Sequence, residues 1–215
     1  MKKRSWVIVG VLLMVGLFGG WFWSKRNPKE GTLSLSGLEE KVRVVRDEKG
    51  LAYIYARNLD DALMAQGFVT AQDRLFQMEL TRLFSSGRLG EMAGAEARPL
   101  DVRMRTIGFF RQAQKHARLL DPPTRKNFQK YVDGINAYLK EQSAFLPIEF
   151  KVAGLKPSPW QVEDALAIMY FMSWGSSANL QTEIIAQMLV EKLGREKAIE
   201  IFPLTINPDY PGETR

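Results

Sequence analysis

The sequence predicts an α+β chain, mainly helical, with one β-hairpin near its N-terminal side. Residues 41–46 (Lys41-Val42-Arg43-Val44-Val45-Arg46) alternate polar and apolar, Asp47-Glu48-Lys49-Gly50 supplies turn chemistry, and Leu51-Ala52-Tyr53-Ile54-Tyr55-Ala56 resumes β-rich sequence, the pattern of two strands joined by a tight turn. After this point apolar residues recur mainly at helical spacing, in stretches separated by glycine and proline. With 215 residues and 46% hydrophobic content, the chain is long and apolar enough to bury a sizeable core.

The first elements in chain order concern location. Lys2-Lys3-Arg4 precedes eighteen uncharged residues, Trp6 to Trp23, near the lower limit for spanning a bilayer and longer than most signal-peptide apolar regions. Trp21-Phe22-Trp23 suits a membrane interface better than a cleavage site, so residues 1–26 are expected to form an uncleaved anchor, the alternative being a removed signal. Either way the chain is expected to be exported, as an extracytoplasmic protein that is anchored to the membrane or secreted. Residues 27–40, with Pro28, Gly31 and Gly37, read as a linker. The main domain is expected over 41–202, and the proline-punctuated stretch 203–215 as an irregular tail.

Asn58-Leu59-Asp60-Asp61 offers cap residues for a helix that begins near Asp61 and ends at Ser85-Ser86-Gly87. Along residues 68–83, Phe68, Leu75, Phe76, Leu80 and Leu83 share one broad face, which should be buried. Gln72 and Glu79 fall in the middle of it. Such polar groups need partners, given either by neighbouring loops or by a second polypeptide, because each unsatisfied one costs roughly 1–3 kcal/mol.

The basic stretch Arg98 to Arg118 is expected to be a solvated helix face. Asp121-Pro122-Pro123-Thr124 starts a helix whose core side is Phe128, Val132, Ile135 and Leu139. Residues 146–160 are a proline-broken connection, a helix over 164–172 is apolar on most sides and therefore expected to be central, and a last helix over 182–193 stops at Gly194.

Composition removes several chemistries. With no cysteine there is no disulfide framework, thiolate zinc site or cysteine nucleophile, and the single His116 rules out a histidine-cluster metal site. The net charge of +6 arises at the N-terminus, where six basic residues face one acidic residue in the first thirty; the remainder holds 24 basic against 23 acidic. No RNA- or DNA-binding signature accompanies it, so no nucleic-acid partner is expected.

Several motifs, in order, resemble the start of the penicillin acylase family of N-terminal-nucleophile amidohydrolases: Val45-Arg46-Asp47-Glu48-Lys49-Gly50, Gln72-Asp73-Arg74-Leu75-Phe76-Gln77-Met78-Glu79, Gly87-Arg88-Leu89, Tyr131-Val132-Asp133-Gly134-Ile135-Asn136-Ala137-Tyr138, and Pro157-Ser158-Pro159-Trp160 followed by Glu163-Asp164-Ala165. The resemblance implies an α-subunit whose hairpin joins an αββα core supplied by a β subunit. It implies hydrolysis of a linear amide, of the penicillin, cephalosporin or acyl-homoserine-lactone type. The nucleophile would be a serine that begins the β chain after self-cleavage of a precursor, its own α-amine acting as base; that amine ordinarily titrates at about 8, close to working pH.

This chain begins with methionine, and Gly175-Ser176 lacks the Asn- and Trp-containing strand that follows the family's nucleophile, so no catalytic residue is assigned. By position, Met172, Trp174, Ser176 and Ser177 fall where relatives line the acyl pocket, although a Met and a Trp on a helix are more often plain core. Glu183 falls where relatives ligate a structural calcium; it either donates to that ion or only opens its helix favourably. No organic cofactor is implied. The expected partners are the β subunit, a small-molecule amide, and the membrane through residues 6–23. The alternative reading is a membrane-anchored, non-catalytic helical interaction domain.

Overall fold

The computed structural model describes residues 31–141, 146–177 and 180–201. The expected anchor over 6–23 and the tail over 203–215 lie outside them. Among the described residues no helix is long and apolar enough to cross a membrane.

Strands β1 (Arg43–Arg46) and β2 (Ala52–Tyr55) pair antiparallel, Val44 opposite Ile54 and Val45 opposite Tyr53. The turn is held by Asp47, whose Oδ1 accepts from the amides of Lys49 (3.0 Å) and Leu51 (2.8 Å). The hairpin is thus as the sequence predicts, slightly shorter at each end.

Helix α1 (Leu59–Ser86) follows, starting slightly before Asp61. Asn58 caps it, accepting from the Asp61 amide at 2.7 Å, and Gly87 closes it in the left-handed conformation. Non-helical angles at Arg74 (φ −141°, ψ 22°) kink it, which the apolar pattern does not foretell. Asp61 is fully buried and receives the amides of Glu39 and Glu40, both at 2.9 Å, and Asn58 Nδ2 at 2.7 Å.

Burial by itself would raise the Asp61 pKa, but those hydrogen bonds and the nearby Lys130 outweigh it and hold the carboxyl below its ordinary range. Its contribution to stability is therefore present above the ordinary carboxylate range and lost as pH falls through the lowered value. Asp61→Ala is expected to cost about 1–3 kcal/mol, read as a lowered urea midpoint, because two amides lose a charged acceptor. The gap between variant and parent should close in acid.

Two short turns of helix, α2 (Gly90–Ala93) and the 3-10 segment Gly94–Ala97, lead to α3 (Arg98–Ile107) and α4 (Phe109–Leu119). The basic stretch is thus two helices rather than one face, broken at Gly108, whose φ of 86° suits a residue without Cβ. Phe109, Ala113 and Ala117 point inward while Arg111, Lys115 and Arg118 are exposed, the solvated side that the sequence predicts.

Helix α5 (Pro122–Glu141) packs along α1. The two approach closely because each has a glycine at the crossing: a Cβ on Gly67 would fall on the Tyr131 carbonyl oxygen, and one on Gly134 on that of Met64. Phe68, Ala71 and Leu75 of α1 meet Val132, Ile135 and Tyr138 of α5 in the core, joined by Phe150 of α6 (Ile148–Val152) and by Trp160. Phe68 stands edge-on to Tyr138 at 5.4 Å, and Phe76 to Phe150 at 5.2 Å.

Helix α7 (Val162–Ser176) begins in this core with Val162, Leu166 and Ala167 buried. Contacts divide the chain into a first unit ending at Ile168 and a second beginning at Met169. The second unit takes the end of α7, then α8 (Leu180–Leu193) and α9 (Arg195–Ile201), which pack on each other with Ala198 buried. The helix expected over 164–172 is therefore central only in its first half, since Met169 and Met172 are exposed. A uniformly apolar helix does not announce which part of it this chain covers.

Candidate functional site

The residues that the sequence marks for an acyl pocket sit together at the C-terminal end of α7. Met172 and Trp174 are 63% and 42% exposed, large apolar groups at the surface of this chain. The Trp174 ring lies 6.4 Å from that of Phe171, tilted by 35°. The hydroxyls of Ser176 and Ser177 turn back on the helix and donate to the carbonyls of Met172 and Ser173, each at 3.0 Å. Such i−4 bonds are ordinary for serine on a helix. Ser176 is thus the last residue of the helix, with its hydroxyl bonded to backbone. An open groove of about 720 Å³ lies elsewhere, in the first unit, between the hairpin (Leu51, Ile54) and α1 (Leu63, Val69, Arg74).

Glu183 is exposed in the first turn of α8. Among the described residues no group of three His, Cys, Asp or Glu side chains comes together. One carboxylate supplies at most two of the six to eight oxygens that calcium takes, so the residues described here do not by themselves build such a site.

A buried ion-pair cluster lies in the first unit and is only half visible in the sequence. Glu79 and Arg82, one turn apart on α1, are 3% and 2% exposed, and Arg82 Nη2 donates to Glu79 Oε1 at 2.7 Å. The same guanidinium donates to Ser158 Oγ (3.1 Å), the Pro159 carbonyl (3.3 Å) and Asp164 Oδ2 (3.4 Å), and stands over the Trp160 ring with Cζ 5.0 Å from its centre. Asp164 also caps its helix, accepting the Gln161 amide at 2.8 Å. Burial pushes the Asp164 carboxyl above its ordinary value, and Arg82 opposes that push.

Asn136 completes the clamp from α5, donating to the Trp160 carbonyl at 3.0 Å and accepting its amide at 2.8 Å. The connection entering α7 is therefore fixed from two helices.

Gln72 has a similar arrangement at the hairpin. It is half-buried, and its Oε1 accepts from Arg46 Nη2 at 3.0 Å, while Arg46 Nη1 donates to Asp73 (2.8 Å) and to the Gly50 carbonyl (3.1 Å). The expectation that loop backbone or a second polypeptide meets Gln72 and Glu79 is corrected: arginines of this same chain meet them. Arg82 lies three residues after Glu79, a spacing that could have identified it as a partner.

The model of the penicillin amidase family matches residues 41–211. The chain belongs to the penicillin amidase family. Among family relatives, an acyl-homoserine lactone acylase, QuiP, of Pseudomonas fluorescens is 35% identical over 213 residues, 98% of this chain and 26% of that protein. The penicillin acylase 2 proenzyme of a Pseudomonas species is 42% identical over 142 residues, 66% of this chain and 18% of that protein. The chain thus spans about a quarter or less of these relatives' length. A solved structure of the thermostable penicillin G acylase of Alcaligenes faecalis matches with a TM-score of 0.57 and 29% identity, covering 81% of this chain and 96% of that one. The mainly helical fold with its small hairpin is therefore similar to that of this penicillin G acylase chain.

Proposed function

We propose that this chain is the N-terminal, α portion of an acylase that hydrolyses a linear amide, with the nucleophilic serine at the start of a β portion. The observation that carries this reading is the extent of the structural match, which takes in nearly all of the matched penicillin G acylase chain while leaving about three quarters of QuiP unrepresented. The serine hydroxyl would attack the amide carbonyl and its α-amine would take the proton, a role that needs a chain terminus and no histidine.

The second unit supports an α portion that is covered by more protein. Ile184, Ile185, Met188 and Leu193 of α8 are each 42–50% exposed, and Met172 and Trp174 of α7 are exposed as well. In this reading Met172, Trp174, Ser176 and Ser177 form one wall of the acyl pocket, where apolar surface with a few hydroxyls suits a fatty or aromatic acyl group. Glu183 would give one ligand to a calcium whose other oxygens come from the β portion. The protein would work outside the cytoplasm, anchored through residues 6–23 or released.

Expression of the complete reading frame should yield a product that releases free amine from N-acyl-homoserine lactones or penicillins. Inactivity of a correctly folded product against both classes would replace this reading with that of a non-catalytic domain that binds a partner.

A further inference from the structure

We propose that the buried cluster of Glu79, Arg82 and Trp160 is a binding site for a single internal water molecule. Three polar atoms here are buried yet find no partner in the protein: Arg82 Nε, Trp160 Nε1 and Glu79 Oε2. Each would cost roughly 1–3 kcal/mol if left so. Two are donors and one is an acceptor. Covalent geometry puts Nε on the same edge of the guanidinium as Nη2, the nitrogen that already holds Glu79 Oε1. The indole is packed against that guanidinium.

The chemistry selects the occupant. A metal cation would meet two N–H groups and the charge of Arg82. An anion would meet the carboxylates of Glu79 and Asp164. Protonating Glu79 would turn Oε2 into a donor and still leave both nitrogens unmatched. A side chain of another polypeptide is kept out, because Glu79, Arg82 and Trp160 are 2–4% exposed in this chain alone. Water accepts from both N–H groups and donates to Oε2, and three partners is the usual number for a buried water.

The water links α1 to the indole edge, on the segment that Arg82 already holds at Ser158 and Pro159 and Asn136 holds at Trp160. The polar face of α1 is therefore completed inside the chain. This inference is independent of the proposed function.

A crystal structure of the complete protein, together with water cross-relaxation in solution, tests it. A density peak within hydrogen-bonding distance of all three atoms is expected. The indole proton identified by its loss in Trp160→Phe should show direct cross-relaxation with a water that stays bound longer than the protein takes to tumble. Direct pairing among the three atoms, a side chain in the site, or an indole proton without such a water contact would each overturn the proposal.

Discussion

Arg82→Met is expected to destabilise the folded chain by about 3–5 kcal/mol, the range for removing one partner of a buried ion pair. The cost comes less from lost attraction than from what stays behind, because Glu79 and Asp164 would lose their cationic partner in a site shielded from bulk solvent. Burial already raises the Asp164 carboxyl, and taking away Arg82 removes a force that lowers it. A carboxyl whose folded pKa is raised binds its proton more tightly when folded, so stability falls as pH climbs from the ordinary carboxylate value to the raised one. The deficit of the variant should accordingly be largest at neutral pH and smaller near about pH 4, where the ordinary carboxylate value lies. Urea unfolding at the two pH values measures it. Adding Glu79→Gln should recover part of the loss, a coupling expected of side chains in contact.

Gly134→Ala should also be severe, for a different reason. The added Cβ would fall on the Met64 carbonyl oxygen and within 2.8 Å of the Phe68 amide nitrogen, and backbone cannot rotate away as a side chain can. Replacing a helical glycine by alanine ordinarily gains up to ~1 kcal/mol, but forcing the α1 and α5 backbones apart loosens Phe68, Ile135 and Tyr138 together. Overpacking of this kind costs about 1–3 kcal/mol or more, so the net effect should be a clear drop in thermal midpoint. Gly175→Ala is the control: nothing lies within 4 Å of a Cβ there, and the substitution should be neutral or mildly stabilising.

Local chemistry made much of the fold legible. The Asp47–Gly50 turn, the Asn58 cap and the glycine stop at Gly87 are signals that act within a few residues, and the hairpin and α1 formed where they point. The kink at Arg74 is different, since no proline or glycine marks it. Gly108 did mark the break between α3 and α4, but the run of charge around it masked the signal.

For the site, periodicity found Glu79 and Gln72 as polar groups on a core face. It could not say that Arg82, at the edge of that face, would fold inward to meet Glu79, or that Asp164, far along the chain, would join them. Burial of α7 was overstated because a helix's own composition tells how much apolar surface it has, not which protein covers it. Met172 and Trp174 remain at the surface of this chain for that reason.

The most direct measurement is the N-terminal sequence of each polypeptide present after the complete reading frame is expressed and purified. An α portion predicts two chains, the second beginning with serine, and loss of amide hydrolysis when that serine is replaced by alanine. A single uncleaved chain, or an activity that survives the replacement, would contradict the account.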